Sequence, residues 1–377
     1  MSVGNGNGPE LQTLVREVGQ RLGVAQDAVT IEDVEGALQG VLADRRLQWR
    51  PEAARRAAVS IADELSGVGP LGPLLRDAGV GEVMVNASGE VFVERDGRIE
   101  PTKVRFADES AVRHLIERAV SPLGLRVDAT SPWVDARLAD GSRFHAVLPP
   151  IALGGPVVTI RKFADALWTL EDLLEMGSID DRVAVCLADA VRRRDNVLVS
   201  GGGGTGKTTL LGVLARMVPS CERVITIEDA AELRLGERHV VALETRPPNV
   251  EGRGEVTLRD LVRCAMRMRA DRIVVGEVRG PEALDMLQAL TSGHAGSMAT
   301  VHADAPREAL MRLEVMALMA APGLSVEAAR RQVASAIDLV VHLERDPSGL
   351  RRVSQIAEVR IGSAGPVLRR LPKKGSM

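Results

Sequence analysis

The stretch that most constrains this chain is residues 201–208, GGGGTGKT. It satisfies the phosphate-binding pattern G-x-x-x-x-G-K-[ST], with Gly201 and Gly206 as the fixed glycines, followed by Lys207 and Thr208. Its flanks supply the context the pattern needs. Residues 196–200 (NVLVS) form a short β-branched run, and residues 209–217 (TLLGVLARM) are apolar at helical spacing and end before Pro219. A strand, a glycine loop and a helix start aim several backbone N–H groups and the positive end of a helix dipole at one anion. Glycine is needed because side chains would hold the backbone away from the phosphates. The expected phosphate-binding set is Gly201, Gly202, Gly203, Gly204, Thr205, Gly206, Lys207, Thr208 and Thr209. Lys207 is placed to reach the β- and γ-phosphates, and the Thr208 hydroxyl to bind Mg²⁺. The implied ligand is a nucleoside triphosphate.

Composition narrows the setting. A chain of 377 residues allows two or three domains. Aromatic residues are 2% with no Tyr, so the cores must be built from Leu, Val, Ile, Ala and Met. A formal net charge of -3 argues against a broadly basic nucleic-acid surface. Cys186, Cys221 and Cys264 match no metal or redox spacing, and the expectation is buried free thiols in a reducing cytoplasm. The first ten residues contain no apolar signal region, and no apolar stretch approaches the roughly 20 residues that span a bilayer. The expected location is therefore cytoplasmic, with membrane contact made only through a partner.

Three segments emerge from the patterning. Residues 1–66 begin with a Gly/Asn-rich start expected to be disordered, then carry apolar residues at helical spacing: Leu11, Leu14, Val15 and Val18; Val34, Leu38 and Val41; Ala57, Ile61 and Leu65. The Gly/Pro-dense stretch 67–73 marks a boundary. Residues 67–163 predict an α/β domain, with strands at 82–86, 90–95, 134–138, 143–148 and 157–161 and a helix at 108–120. After a short linker near Ala164, residues 164–377 alternate strand and helix, the pattern of a parallel sheet covered on both faces. Strands are expected at 196–200, 224–227, 272–276 and 297–302, with a last pair at 337–343 and 351–361. Phosphate chemistry belongs at the C-terminal edge of such a sheet.

Three further stretches sit at those strand ends. Residues 224–227 lead into Glu228 and Asp229, then Glu232; such carboxylates either hold Mg²⁺ and orient water or cap a helix. The strand 272–276 leads into Glu277, Val278 and Arg279, a Walker B-like element with Gly276 where many NTPases carry Asp. The apolar strand partly desolvates Glu277 and favours a general-base role, the alternative being a salt bridge to Arg279. In residues 291–306, His294 precedes a strand and His302 ends it. Two histidines without cysteine make a poor zinc site. They serve either structure or contact with phosphate and a catalytic carboxylate, sensing the γ-phosphate.

These four stretches, in this order, resemble the secretion ATPases of the type II/type IV superfamily. Their motifs are a Walker A, an Asp box (here ITIEDAAEL), a degenerate Walker B (IVVGEVRG) and a His box (TSGHAGSMATVHA). The runs GVGPLGPLL, GEVMVN, VDARLADGSRFHAVLPP, TIRKF and LETRPPNVEGRGEVTLRDLVRCAMRMRADRIVVGEVRG are similar to the CpaF-like branch of Tad/Flp pilus assembly. The resemblance spans about residues 66–361. It implies a homohexameric ring in which a smaller α/β, PAS-like N-terminal domain sits on a RecA-like ATPase domain, with ATP held between the two. It further implies Mg²⁺–ATP as the substrate and an integral inner-membrane platform protein as the partner. Carried over by position, Glu277 matches the Walker B glutamate, Glu228 the Asp-box glutamate, and His294 and His302 the His-box pair. Arg143 and Arg161 fall where the family places phosphate-contacting arginines, with Arg137 and Arg246 as weaker matches. They contact phosphate or make salt bridges within their own domain. The chain departs from the pattern at His145 and Asp304, where Asn is expected, at Ala270 for Pro and at Ala295 for Asp.

Three functions remain on one fold. The first is a motor that assembles or exports pilin subunits through a membrane platform. The second is a nucleic-acid or DNA-transfer motor, which needs a basic channel and stacking aromatics. Here the charge is negative, and Trp49, Trp133 and Trp168 are far apart. The third, a nucleotide-gated scaffold without turnover, is disfavoured by the presence of Glu277.

Overall fold

The computed structural model describes residues 9–23, 30–65, 68–95, 97–138, 140–162, 167–236, 239–248, 252–346, 349–362 and 365–370. The Gly/Asn-rich start, the 66/67 boundary and the linker around Ala164 lie outside them. The chain divides into two compact units, Met1–Ala164 and Asp165–Met377.

The first unit opens with helices α1 (Pro9–Leu22), α2 (Ile31–Asp44) and α3 (Pro51–Leu65). Thr30 and Asp33 form a reciprocal capping box that starts α2. The apolar residues read from the sequence close a small core of their own, among them Leu14, Val18, Val34, Leu38, Val41 and Ile61. Near the end of α3, Asp63 pairs with Arg76 of the short helix α4 (Gly72–Arg76). Glu64 pairs with Arg118 of α5 (Glu109–Val120), so the bundle is tied to two later helices of the same unit.

The strands of this unit are β1 (Glu82–Val85), β2 (Glu90–Arg95), β3 (Arg98–Arg105), β4 (Trp133–Arg137), β5 (Arg143–Val147) and β6 (Val157–Arg161). They form one sheet in the order β3-β2-β1-β6-β5-β4, every pair antiparallel. Alternation along β1, β2, β5 and β6 buries one face. Val83, Val91, Phe144 and Ile160 pack there against Val112, Leu115 and Ile116 of α5. Trp133, Asp135, His145 and Arg161 are exposed on the alternate positions.

The second unit is built on β7 (Val197–Gly201), β8 (Val224–Glu228), β9 (Val240–Glu244), β10 (Arg272–Val278), β11 (Met298–His302), β12 (Leu339–Arg345), β13 (Arg351–Gly362) and β14 (Gly365–Arg370). The sheet order is β14-β13-β12-β7-β11-β10-β8-β9. Strands β12 to β9 in that order run parallel, and β13 and β14 extend the sheet as an antiparallel hairpin. Helices α6 (Leu170–Glu175), α7 (Asp181–Arg193) and α8 (Lys207–Arg216) belong to the unit, as do α9 (Leu258–Ala265), α10 (Glu282–Thr291), α11 (Pro306–Ala320) and α12 (Val326–Ala336). Two separate cores result, one lined by α7 and α8 and the other by α9 to α12. This doubly covered α/β architecture buries the central strands on both faces, which is why VLVSG and VITIE carry no alternation. Each buried Leu, Ile or Val there contributes about 1.5–3 kcal/mol.

Several expectations are corrected. Strands β8 and β10 run on through Glu228 and Val278 rather than stopping before the carboxylates. Pairing continues that far because β9 and β11 reach equally far, with Glu228 opposite Glu244 and Val278 opposite Val301. Helix α8 starts at Lys207, two residues before the apolar run. The thiols are not buried: Cys221 and Cys264 are exposed and Cys186 is half-buried. Helix α9 turns Leu258, Leu261, Val262 and Ala265 inward, which leaves Cys264 on its outer side. Among the described residues, no helix is long and apolar enough to cross a membrane.

Candidate active site

The phosphate loop leaves β7 at Gly201 and enters α8 at Lys207. A Cβ on Gly201 would stand 2.6 Å from the Leu343 carbonyl oxygen and 2.7 Å from Thr205 Oγ1, so only glycine fits this close approach. Thr205 Oγ1 donates to the Gly202 carbonyl at 3.0 Å and braces the turn. Lys207 Nζ donates to the carbonyls of Gly201 (3.1 Å) and Gly202 (2.8 Å), lying along the loop it serves. Burial pushes the Lys207 ammonium below its usual range; Glu277 is near enough to oppose that shift and Arg279 to add to it. Thr208 and Thr209 come next in the first turn of α8, both half-buried. The open N-terminus of α8, glycine backbone and a partly desolvated ammonium together fit a polyphosphate.

Two carboxylates share this edge in different environments. Glu228, at the end of β8, is 3% exposed. Its Oε1 accepts the backbone N–H of Glu232 (3.0 Å) and Leu233 (3.1 Å), which folds the segment after β8 back over it. Burial pushes its carboxyl up to about 7, against the lowering effect of those two N–H groups. The glycine in the Walker B-like strand has a spatial cause. A Cβ on Gly276 would stand 2.8 Å from Glu228 Cγ, so β10 leaves out a side chain where β8 inserts one. Glu277 is the next residue on β10 and is only half-buried. Its Oε2 accepts from Arg279 Nη2 at 2.6 Å and Nε at 3.1 Å. Arg279 also reaches Asp229, with Nη1 at 3.5 Å from Oδ2. Glu277 thus makes the salt bridge to Arg279, and Glu228 is the more deeply buried of the two carboxylates. No group of three or more His, Cys, Asp or Glu that could hold a metal occurs among the described residues.

The two histidines part company. His302 ends β11 directly opposite Gly201, at the phosphate edge. His294 lies four residues before Met298, where β11 begins, and so at the opposite edge of the parallel sheet. It is buried, with Nδ1 3.2 Å from the Ala289 carbonyl, and its own carbonyl accepts from Ser297 Oγ. The expectation that His294 binds nucleotide does not fit this placement, since a β-strand's length separates it from the loop.

In the first unit, Arg143 stands opposite both Arg137 and Arg161, so three arginines cross β4, β5 and β6 in one row. Like charges side by side in a sheet are unfavourable unless something offsets them. Arg161 finds a partner in Glu82 of β1, with Nε at 3.6 Å from Oε1. Arg246 braces its own loop, Nε donating to the Gly254 carbonyl at 2.7 Å. One phosphate-edge arginine has no counterpart in the sequence motifs. Arg345 Nη2 donates to the Gly204 carbonyl at 3.3 Å, because β12 lies beside β7. Strand order carries that information, and no local pattern signals it.

The fold and loop define a P-loop ATPase. A family model described as type II/IV secretion system protein matches residues 64–362. The chain belongs to that family. A putative conjugal transfer protein of Mycobacterium tuberculosis is 46% identical over 303 residues, covering 79% of this chain and 86% of the relative. The conjugal transfer protein TrbB of Rhizobium radiobacter is 32% identical over 318 residues, covering 83% and 92%. Among solved structures, the pilus retraction motor PilT with bound ADP aligns with a TM-score of 0.53 at 20% identity, covering 79% of this chain and 81% of that one. The ATPase DotB of Legionella pneumophila gives 0.53 at 18% identity, covering 77% and 79%. At these identities the likeness is one of fold.

Proposed function

We propose that this chain is the cytoplasmic, homohexameric, Mg²⁺-dependent ATPase motor of a pilus-assembly or protein-secretion apparatus, of the CpaF-like Tad/Flp branch. The observation that carries the reading is the convergence of Lys207, Glu228, Glu277 and His302 on one sheet edge, each at or just past the end of a neighbouring strand or in the loop it launches. Thr208 and Glu228 would hold Mg²⁺, which neutralises charge on the transferring phosphoryl group. Lys207 grips the phosphates. Glu277 is the general base that takes a proton from the attacking water, and Arg279 orients it. His302 is positioned to report the γ-phosphate. Arg143 and Arg161 are assigned to neutralising phosphate charge, a role worth roughly 10³–10⁵ in rate in other NTPases. What supports this is the row they form, which gathers positive charge along one line across β4, β5 and β6. A DNA-transfer role is the second reading, and the names of the conjugal transfer relatives favour it.

The two readings separate in one set of measurements. An integral membrane protein that co-purifies with the chain, with no more than slight stimulation of turnover by DNA at physiological salt, supports the first. Large stimulation by DNA supports the second, since phosphate contacts dominate nucleic-acid affinity. Arg143→Ala and Arg161→Ala, checked for folding by circular dichroism, should each lower turnover. Wild-type rates in both would remove those arginines from the mechanism.

A further inference from the structure

We propose that His342 is a positioning residue for ATP hydrolysis, holding the strand end that launches the phosphate loop beside the turn after His302. The inference rests on the ATPase reading above.

His342 lies on β12 and is 2% exposed. It stands opposite Ser200 of β7, and its Nδ1 is 2.9 Å from Ser200 Oγ. Ser200 is itself fully buried and is the residue before Gly201. The next residue of β12, Leu343, presses its carbonyl against Gly201, so two successive residues of this strand abut the root of the loop. Asp304, two residues beyond His302, lies near enough to the His342 ring to act on its charge. Ala303, between them, donates its N–H to the Gly201 carbonyl at 3.3 Å. One imidazole therefore bonds to the root of the loop and stands beside the turn after His302.

The local backbone supports this placement. The register between β12 and β13 shifts between His342 and Leu343. Bulges of this kind re-aim side chains and recur beside active sites. The neighbours in β12, Val340, Val341 and Leu343, are apolar and buried, and an apolar residue at position 342 would leave the Ser200 hydroxyl without this partner. A fully satisfied buried polar network specifies a single geometry. Here the geometry specified is that of the loop root against β12.

The chemistry gives the network a direction. Burial pushes the His342 imidazole below its ordinary value, opposed by Glu344 on its own strand and by Asp304 and Glu308 from the adjoining turn and α11. The ring is neutral at pH 7. A neutral imidazole keeps a single N–H, and Nδ1 and the Ser200 hydroxyl share one proton in their bond. Protonation makes both ring nitrogens donors, so Ser200 Oγ is left only to accept from Nδ1.

The test uses the full-length chain with His342→Gln, His342→Asn, Ser200→Ala and the His342→Gln/Ser200→Ala double variant. Folding is checked by circular dichroism, and Mg²⁺–ATP turnover is measured from pH 5.5 to 8.5. His342→Gln and Ser200→Ala should each lower kcat about tenfold, the rate equivalent of one lost positioning hydrogen bond, with KM for ATP within about twofold. The double variant should be no worse than the poorer single one, and His342→Asn, which keeps an acceptor near the Nδ1 position, should recover part of the loss. The acid limb of kcat should move in His342→Gln. Folded single variants with wild-type kcat and an unchanged pH profile overturn the inference while leaving the ATPase intact. A wild-type chain that does not hydrolyse ATP overturns both.

Discussion

The two edges of the eight-stranded sheet draw on similar residues and put them to opposite uses. At the N-terminal edge, Arg272 is 1% exposed, donates to both oxygens of Glu222 and also to the Val191 carbonyl. Beside it, the Asn196 amide accepts from the N–H groups of Gly296 (2.9 Å) and Ser297 (3.2 Å) and donates to the carbonyls of Ala336 and Leu290. His294 sits in the same layer. The polar groups just named all have partners inside the unit. At the C-terminal edge, Lys207 rests on carbonyls it can release, Glu228 is buried with backbone N–H groups offsetting its charge, and Glu277 pairs with a half-exposed arginine side chain. Burying a polar residue does not by itself make a site. What distinguishes the working edge is that its charges are held by partners a polyphosphate and a cation can replace.

That contrast breaks first at Arg272. Arg272→Met strands Glu222 with Arg194 as its remaining partner, at 2.9 Å, and should cost about 3–5 kcal/mol in urea unfolding. The nucleotide affinity of the molecules that stay folded should be unchanged. Unaltered stability would show that the N-terminal edge is no lock.

Glu228 sharpens the comparison through pH. Its carboxyl rises from an ordinary value near 4.5 to about 7, so between those values the native chain holds a proton that the unfolded chain has lost. Stability contributed by this group therefore falls as pH rises from about 4.5 to 7 and stays low above. Without metal and nucleotide, Glu228→Gln should be more stable than wild type at pH 8, by at most about 3 kcal/mol, and lose the advantage near pH 4.5. Thermal melts across that range decide it, and equal melting temperatures at pH 8 would contradict the burial argument.

The histidines give the smallest effect and the cleanest contrast. His294→Asn should cost about 1 kcal/mol of stability and leave kcat within about twofold, while His302→Asn should lower kcat with little change in stability. A reversed pattern would exchange the roles of the two edges.

What the sequence makes legible divides along physical lines. The phosphate loop, Glu228, Glu277 and His302 are readable because each stands in or beside a buried strand whose apolar run marks it. Strands β3, β9 and β14 are not, and each is the edge strand of its sheet. An edge strand pairs on one side only, and β3 carries Pro101 and mostly exposed residues, so neither alternation nor an apolar run announces it. The family resemblance assigns His294 to nucleotide, although the strand read between the two histidines already sets them at opposite edges of the sheet. Gly276 looks like a lost aspartate; the neighbouring strand's glutamate fills its space. Ser200, His342 and Arg345 come together only through strand order, which single-sequence periodicity does not contain.

The central claim is that ATP is hydrolysed at the C-terminal edge of this sheet, and the most direct measurement is steady-state phosphate release by the full chain and by Lys207→Ala. The account predicts slow, Mg²⁺-dependent turnover in the wild type and a loss of at least about a hundredfold in Lys207→Ala, which no longer carries the charge that holds the phosphates. An unchanged kcat in a folded Lys207→Ala chain would contradict it.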